Sequence, residues 1–231
     1  MDTLSMIYRS TQCPKCELTQ HCVCDEVPRI DSPIHIALLM HENELKRETN
    51  TGRWLMASLD KCSQHVWQRK VPNQSLIDLI ELPHVVPMIL YPSEQSEPAT
   101  EVLANLETLK SSRALQGETN LSQPHPLFII LDGTWQEAKK IAKKISWLSQ
   151  CQHVHLVPTS QSSYGLRRNQ EEGHLCTLEV AAELLNLVGE RDSAAQLTEF
   201  FLRYMAIYKA DKSGHPFKES ERREQVPIQG D

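Results

Sequence analysis

Residues 126–148 read PLFIILDGTWQEAKKIAKKISWL. The first six positions are apolar or proline, a short run that fits a strand buried on both faces, as in parallel sheets. The period then changes. Ala138, Ile141, Ala142, Ile145 and Leu148 recur at three- and four-residue spacing and predict one apolar helix face over this stretch. Lys139, Lys140, Lys143 and Lys144 fall on the other side. A strand therefore hands over to a helix through four residues, Asp132-Gly133-Thr134-Trp135.

The same alternation recurs on both sides. IHIALLM (34–40) reads as a buried strand, and the second half of HENELKRETNTGRWLMASLDKC after it reads as a helix. HVWQ (65–68) predicts a short strand. VVPMILY (85–91) predicts another, stopped by Pro92; Pro87 within it points to an edge position or a late strand start. ATEVLANLETLK is helical by the spacing of Val102, Leu103, Leu106 and Leu109. HVHLV (153–157) is a strand, and residues 177–188 and 193–210 are helices. Strands alternating with helices predict an α/β fold with a mostly parallel sheet flanked by helices. In such sheets ligands bind beyond the carboxyl ends of the strands. LDGTW, HENELKRETNTG and PTSQSSYGLRR all fall at strand-to-helix junctions, which predicts one shared pocket.

Length and composition exclude several classes. The 231 residues suit one large domain with a small appendage. The organisation predicted is an N-terminal cysteine module at 1–30, a catalytic domain at 31–210 and a charged, frayed tail at 211–231. Hydrophobic residues are 40 % and charged residues 23 %, ordinary for a globular chain that buries a core without disulfides. No apolar run approaches the roughly 20 residues that span a bilayer. MDTLSMIYRSTQ lacks a basic start followed by an apolar stretch, so the expected location is the cytoplasm, away from membranes. The 8 glycines form neither GxGxxG nor GxxxxGK[ST], which argues against dinucleotide-binding and P-loop folds. A net charge of -6 argues on average against a nucleic-acid partner, but the lysines are clustered.

Four of the seven cysteines, Cys13, Cys16, Cys22 and Cys24, fall in CPKCELTQHCVC. A CxxC followed by CxC suits tetrahedral zinc in a closed, structural site. His21 is an alternative ligand, and free thiols or a disulfide are the bland readings. The lysine face is either a solvated helix surface or a phosphate-binding one. Asp132 is either a helix cap or a catalytic carboxylate. Trp135 either packs in the core or stacks on a base or adenine. Arg167 suits a carboxylate or phosphate, or is a surface arginine. Glu179 complements a helix dipole or binds a ligand, and His41 with Glu44 is a loop pair or part of the pocket.

Together these segments resemble the DTW-domain family, whose Asp-x-Thr-Trp motif is matched by Asp132-Gly133-Thr134-Trp135. The cysteine cluster matches as well. So do His41 and Glu44 running into Thr49-Asn50-Thr51-Gly52, and Tyr164, Arg167, Thr177 and Glu179. The resemblance covers about residues 13–190 in order. Cys176 stands where a serine is common, and Glu42 where a proline is.

The resemblance implies a fold similar to SPOUT methyltransferases, an α/β sheet with a deep knot near the cofactor site. It implies transfer of the 3-amino-3-carboxypropyl group of S-adenosylmethionine to N3 of a uridine in tRNA, releasing methylthioadenosine. In bacterial members the variable loop is the favoured place, with the D-loop as the other. On this reading Asp132 takes the N3 proton. Arg167 grips the methionine carboxylate, Glu179 or Glu44 its ammonium, and Trp135 a ring. His41, Thr51, Gly52, Gly133, Thr134, Pro158, Ser163, Tyr164, Cys176 and Thr177 complete the cofactor site. Lys139, Lys140, Lys143, Lys144 and Arg168, with the zinc module, hold tRNA. Two other readings compete: a SPOUT-type RNA methyltransferase, and a non-catalytic zinc-containing RNA-binding protein. The oligomeric state is left open.

Overall fold

The computed structural model describes residues 12–115, 124–157 and 175–217. Six strands form one parallel sheet in the order β2-β1-β5-β3-β6-β4: β1 His35–His41, β2 Cys62–Trp67, β3 Val85–Leu90, β4 Glu97–Pro98, β5 His125–Asp132 and β6 Gln152–His155. Among the described residues the α-helices are α1 Gly52–Ser58, α2 Gln74–Ile80, α3 Ala99–Leu115, α4 Trp135–Ala142, α5 Thr177–Leu187 and α6 Arg191–Lys212. None of the described helices is long and apolar enough to cross a membrane.

The period-two alternation of a strand decides which helices lie on which face. On β1 and β5 the even positions Ile36, Leu38, Met40, Phe128 and Ile130 enter one core with α1, α3, α5 and α6. The odd positions Ala37, Leu39, Leu127, Ile129 and Leu131 enter a second core with α2 and α4. β5 is thus covered on both sides, which is why its sequence is continuously apolar. Each such fully buried large side chain contributes roughly 1.5–3 kcal/mol of transfer free energy.

Three expectations change. The apolar spacing from Ala138 to Leu148 is not one helix: α4 ends at Ala142 and a separate 3-10 turn holds Ser146–Leu148. Ile145 and Leu148 still reach the same core as Ala138 and Ile141, so burial kept the spacing while the backbone tightened. β3 is interior, between β5 and β6, although it contains Pro87. β6 begins pairing only opposite Met88, so Pro87 lies where β3 has β5 alone beside it. Finally, α6 continues through Asp211 and Lys212 rather than fraying there. The knot implied by the resemblance depends on the path of 158–174, which lies outside the described residues.

The cysteine segment packs on the α1/α5/α6 face. Cys13, Cys16, Leu18 and Val23 belong to that core. The segment is tied to α6 at two further points. The Asp211 carboxylate accepts from the backbone N–H of Thr19 at 2.8 Å and of Gln20 at 2.7 Å. Arg203 forks onto Glu26.

Candidate active site

Parallel pairing places the carboxyl ends of β1 and β5 side by side, with Met40 opposite Asp132. The segments leaving these two strand ends form the site. After β1 come His41, a 3-10 turn at Glu42–Lys46, and then α1. After β5 come Gly133, Thr134 and α4.

Asp132 is 2 % exposed and belongs to the even face of β5, toward α1 and α5. Its Oδ2 accepts from Asn50 Nδ2 at 2.9 Å, and its Oδ1 accepts from Thr177 Oγ1 at 2.5 Å. Asn50 precedes α1 and Thr177 opens α5, so one carboxylate joins three elements of the fold. These two bonds lock its rotamer. Burial, with the Asp132 charge as a second cause, pushes the Cys62 thiol up to about 12.

Asp132 is not the helix cap. Thr134 is: its hydroxyl accepts from Glu137 N–H at 3.3 Å, while the Glu137 carboxylate accepts from Thr134 N–H at 2.9 Å. This reciprocal pair is a capping box, which relieves Asp132 of that duty.

Glu137 does more than cap. Arg47 donates to both of its oxygens, at 2.7 and 2.8 Å, and Asn43 Nδ2 donates at 2.9 Å. Arg47 also pairs with buried Glu44 at 3.0 Å. The guanidinium, helped by the Thr134 N–H and Asn43, holds the Glu137 carboxyl well below the usual carboxylate range although burial opposes it. His41 lies beside this group, its Nδ1 3.5 Å from Glu137 Oε1 and its ring 5.6 Å from that of Trp67. The turn after β1 is thereby clamped to the start of α4.

Two glycines sit in the tightest places. A Cβ on Gly52 would lie 3.0 Å from Asp132 Oδ2, 3.0 Å from Leu38 Cδ1 and 3.1 Å from Asn50 Oδ1. One on Gly133 would lie 3.0 Å from Glu137 Cβ. Protein atoms alone account for both absences of a side chain.

Other expected residues take varied places. Thr51 is buried, and its side chain hydrogen-bonds the Cys176 thiol, which burial pushes well up. Cys176 is the N-cap of α5, and its N–H donates to Glu179 at 2.8 Å, so Glu179 helps cap its own helix. Trp135 is 40 % exposed, with the Tyr91 ring 6.3 Å away. Lys139, Lys140, Lys143 and Lys144 are all exposed, and Lys140 Nζ lies over the Trp67 ring at 5.7 Å. Pro158, Ser163, Tyr164, Arg167 and Arg168 lie outside the described residues.

Sequence reasoning assigned no role to Asn43, Arg47, Asn50 or Glu137. Glu137 had a readable signal, since Thr134 and Glu137 spell T-x-x-E at a strand-to-helix junction. Arg47 and Asn50 had none, because their partners lie 82 to 90 positions away.

The four cysteine sulfurs all lie within 4.8 Å of one another. Cys13–Cys24 is 3.8 Å, Cys13–Cys22 is 3.6 Å and Cys16–Cys22 is 3.9 Å. Tetrahedral thiolates about 2.3 Å from a zinc ion stand about 3.8 Å apart, so the four sulfurs can hold one metal. All are free thiols. His21 is turned away, bonded to Glu26 at 3.1 Å.

The DTW domain family model matches residues 10–209. The chain belongs to the DTW family. In this DTW protein the name-giving residues have separate tasks: Asp132 joins α1 and α5, Thr134 caps α4, and Trp135 stands at the surface. Its curated relatives include tRNA-uridine aminocarboxypropyltransferase 2 of Drosophila melanogaster, 28 % identical over 221 residues, covering 91 % of this chain and 80 % of the relative. The proteins of the same name from Macaca fascicularis and Mus musculus are 29 % and 26 % identical, over 82 % of this chain. The DTW chain spans 60 % of the length of each of these two. No solved structure matches it significantly.

Proposed function

We propose that this protein transfers the 3-amino-3-carboxypropyl group of S-adenosylmethionine to N3 of a tRNA uridine, releasing methylthioadenosine. The family and the names of its relatives support the reaction class. The observation that carries the residue assignment is the buried Asp132, held by two neutral donors at the joined ends of β1 and β5.

S-adenosylmethionine supplies a methylene carbon made electrophilic by its sulfonium. The protein must remove the N3 proton and hold the two reactants in line. Asp132 is the proton acceptor: it is a carboxylate at the joined ends of β1 and β5, aimed by Asn50 and Thr177, and a carboxylate can serve as general base. Most of the remaining acceleration comes from fixed geometry. The Arg47–Glu137 clamp provides it, because it keeps the turn after β1 and the start of α4 in register. The C–S bond breaks as the N3–C bond forms, and the proton passes to Asp132.

Arg167 is assigned to the methionine carboxylate, and exposed Trp135 to an aromatic ring of a substrate. Lys139 and Lys140 of α4, with Lys143 and Lys144 just after it, are assigned to tRNA phosphates, and zinc to the four cysteines. The uridine is assigned to the variable loop.

The test is turnover with tRNA and S-adenosylmethionine, followed by mass spectrometry of the nucleosides. Methylthioadenosine with a uridine heavier by the aminocarboxypropyl group is expected. S-adenosylhomocysteine would mean methylation instead, and no binding of S-adenosylmethionine would leave only an RNA-binding role. Asp132→Asn should abolish transfer and leave S-adenosylmethionine affinity largely intact; normal turnover would remove Asp132 as the base.

A further inference from the structure

We propose that Asn50 and Arg53 are positioning residues that carry the closure of the cysteine module to Asp132. The proposal rests on Asp132 acting at the reacting nitrogen. It gives the module a second role besides any contact with RNA.

The connection is a chain of contacts between buried or half-buried groups. Asn50 is 4 % exposed. Its Oδ1 accepts the backbone N–H of Arg53 at 2.9 Å. That contact fixes which way the amide faces, since an N–H must meet an oxygen, and it turns Nδ2 toward Asp132 Oδ2 at 2.9 Å. Arg53 lies in the first turn of α1, and its guanidinium leaves the helix toward the module. It donates to the Cys16 carbonyl and to the Tyr204 hydroxyl, each at 3.4 Å, and stands 3.6 Å from Glu17. The Trp54 ring supports it from 4.9 Å. Cys16 also contributes one of the four clustered sulfurs.

From Cys16 to Asp132 each step is therefore a named contact: carbonyl, guanidinium, backbone N–H, amide, carboxylate. Metal binding by short cysteine segments is coupled to their folding. Occupancy thus sets whether the Cys16 carbonyl stands where Arg53 needs it. When it does not, the first turn of α1 loses its outer anchor, and Asn50 loses the hydrogen bond that aims it. Asp132 then loses the Asn50 hydrogen bond that aims it from the α1 side. The consequence is a reaction that depends on a metal distant from the reacting atoms.

The test uses the metal-loaded full chain. Asn50→Ala should lower kcat about 10- to 100-fold, the effect of one hydrogen bond to a charged group, with KM for S-adenosylmethionine within about twofold. Arg53→Ala should lower kcat about 10-fold at an unchanged metal-to-protein ratio, and Arg53→Lys should recover most of that loss. A second readout needs no turnover. Hydrogen exchange at residues 50–56 should quicken when a chelator strips the wild type; in Arg53→Ala it should be fast already and unmoved by the chelator. Exchange unaffected by stripping overturns the relay. So does wild-type kcat in Asn50→Ala and Arg53→Ala, and if Asp132→Asn is then inactive, the assignment of the base still stands. An active Asp132→Asn removes the base instead, and the exchange measurement still reads the relay.

Discussion

Replacing Gly52 by alanine tests how tightly the site is built. The new Cβ would meet Asp132 Oδ2 and Leu38 Cδ1 at 3.0 Å and Asn50 Oδ1 at 3.1 Å. Ordinary contact begins near 3.4 Å, so these groups must yield by a few tenths of an ångström. Two effects on stability oppose each other. Alanine in a helix gains up to about 1 kcal/mol over glycine, largely by restricting the unfolded chain. Overpacking costs about 1–3 kcal/mol. The net loss is about 0–3 kcal/mol, a fall in Tm of at most roughly 12 °C for a chain of this size. The effect on turnover is larger. The displaced atoms are the Asp132 oxygen that accepts the 2.9 Å bond and the oxygen of the same Asn50 amide that donates it, and a shift of that bond misaims the carboxylate. A loss of about 10-fold or more in kcat is expected, since misplacement by an ångström can cost a hundredfold. Thermal melts and steady-state nucleoside analysis measure the two quantities separately. A Gly52→Ala protein with wild-type kcat would refute the claim that this packing aims Asp132.

The clamp, the cap and the lysines lead to three more expected outcomes. Thr134→Ala removes the cap of α4 and should cost about 1 kcal/mol, lowering Tm by about 2–4 °C in calorimetry; an unchanged Tm would contradict the capping assignment. Arg47→Met should flatten the acid limb of stability. The Glu137 carboxyl is held below its ordinary value of 4.5 chiefly by Arg47, so it stabilises the fold fully above that value. That contribution fades as pH falls through and below it. Melting curves of wild type and variant should converge as pH drops from about 5 to about 3, and parallel curves would show that Arg47 is not the main cause. Changing Lys139, Lys140, Lys143 and Lys144 to glutamine should reduce the slope of log affinity for tRNA against log salt. The reduction should be up to about 0.7–0.9 for each phosphate no longer neutralised. An unaltered slope in filter binding would place the tRNA elsewhere.

Much of this fold was legible because burial writes itself into short patterns. β5 is apolar at every turn of its pleat, and both of its faces are covered. The cysteine spacing was legible because its partners are local. The end of α4 was not: Ile145 and Leu148 stay in phase with the helix while the backbone between leaves it. Pro87 misled because a proline is excluded by hydrogen bonding, and the local pairing depends on where β6 starts. Asp132 looked like a cap because it precedes a helix. Only in three dimensions does Thr134 take that task and leave Asp132 to Asn50 and Thr177. Arg47 and Asn50 find their partners through the pairing of β1 with β5, which no local period records.

The ties between the cysteine segment and α6 also set an order of assembly. Thr19 meets Asp211 across 192 positions, and Glu26 meets Arg203 across 177. A ribosome adding about 5–20 residues per second needs about 10–40 s to traverse such an interval. During that time the sheet is being made, yet the segment synthesised first has no finished surface on which to dock. The cysteines can gather a metal locally and early, but their seat on the protein is completed only when α6 emerges.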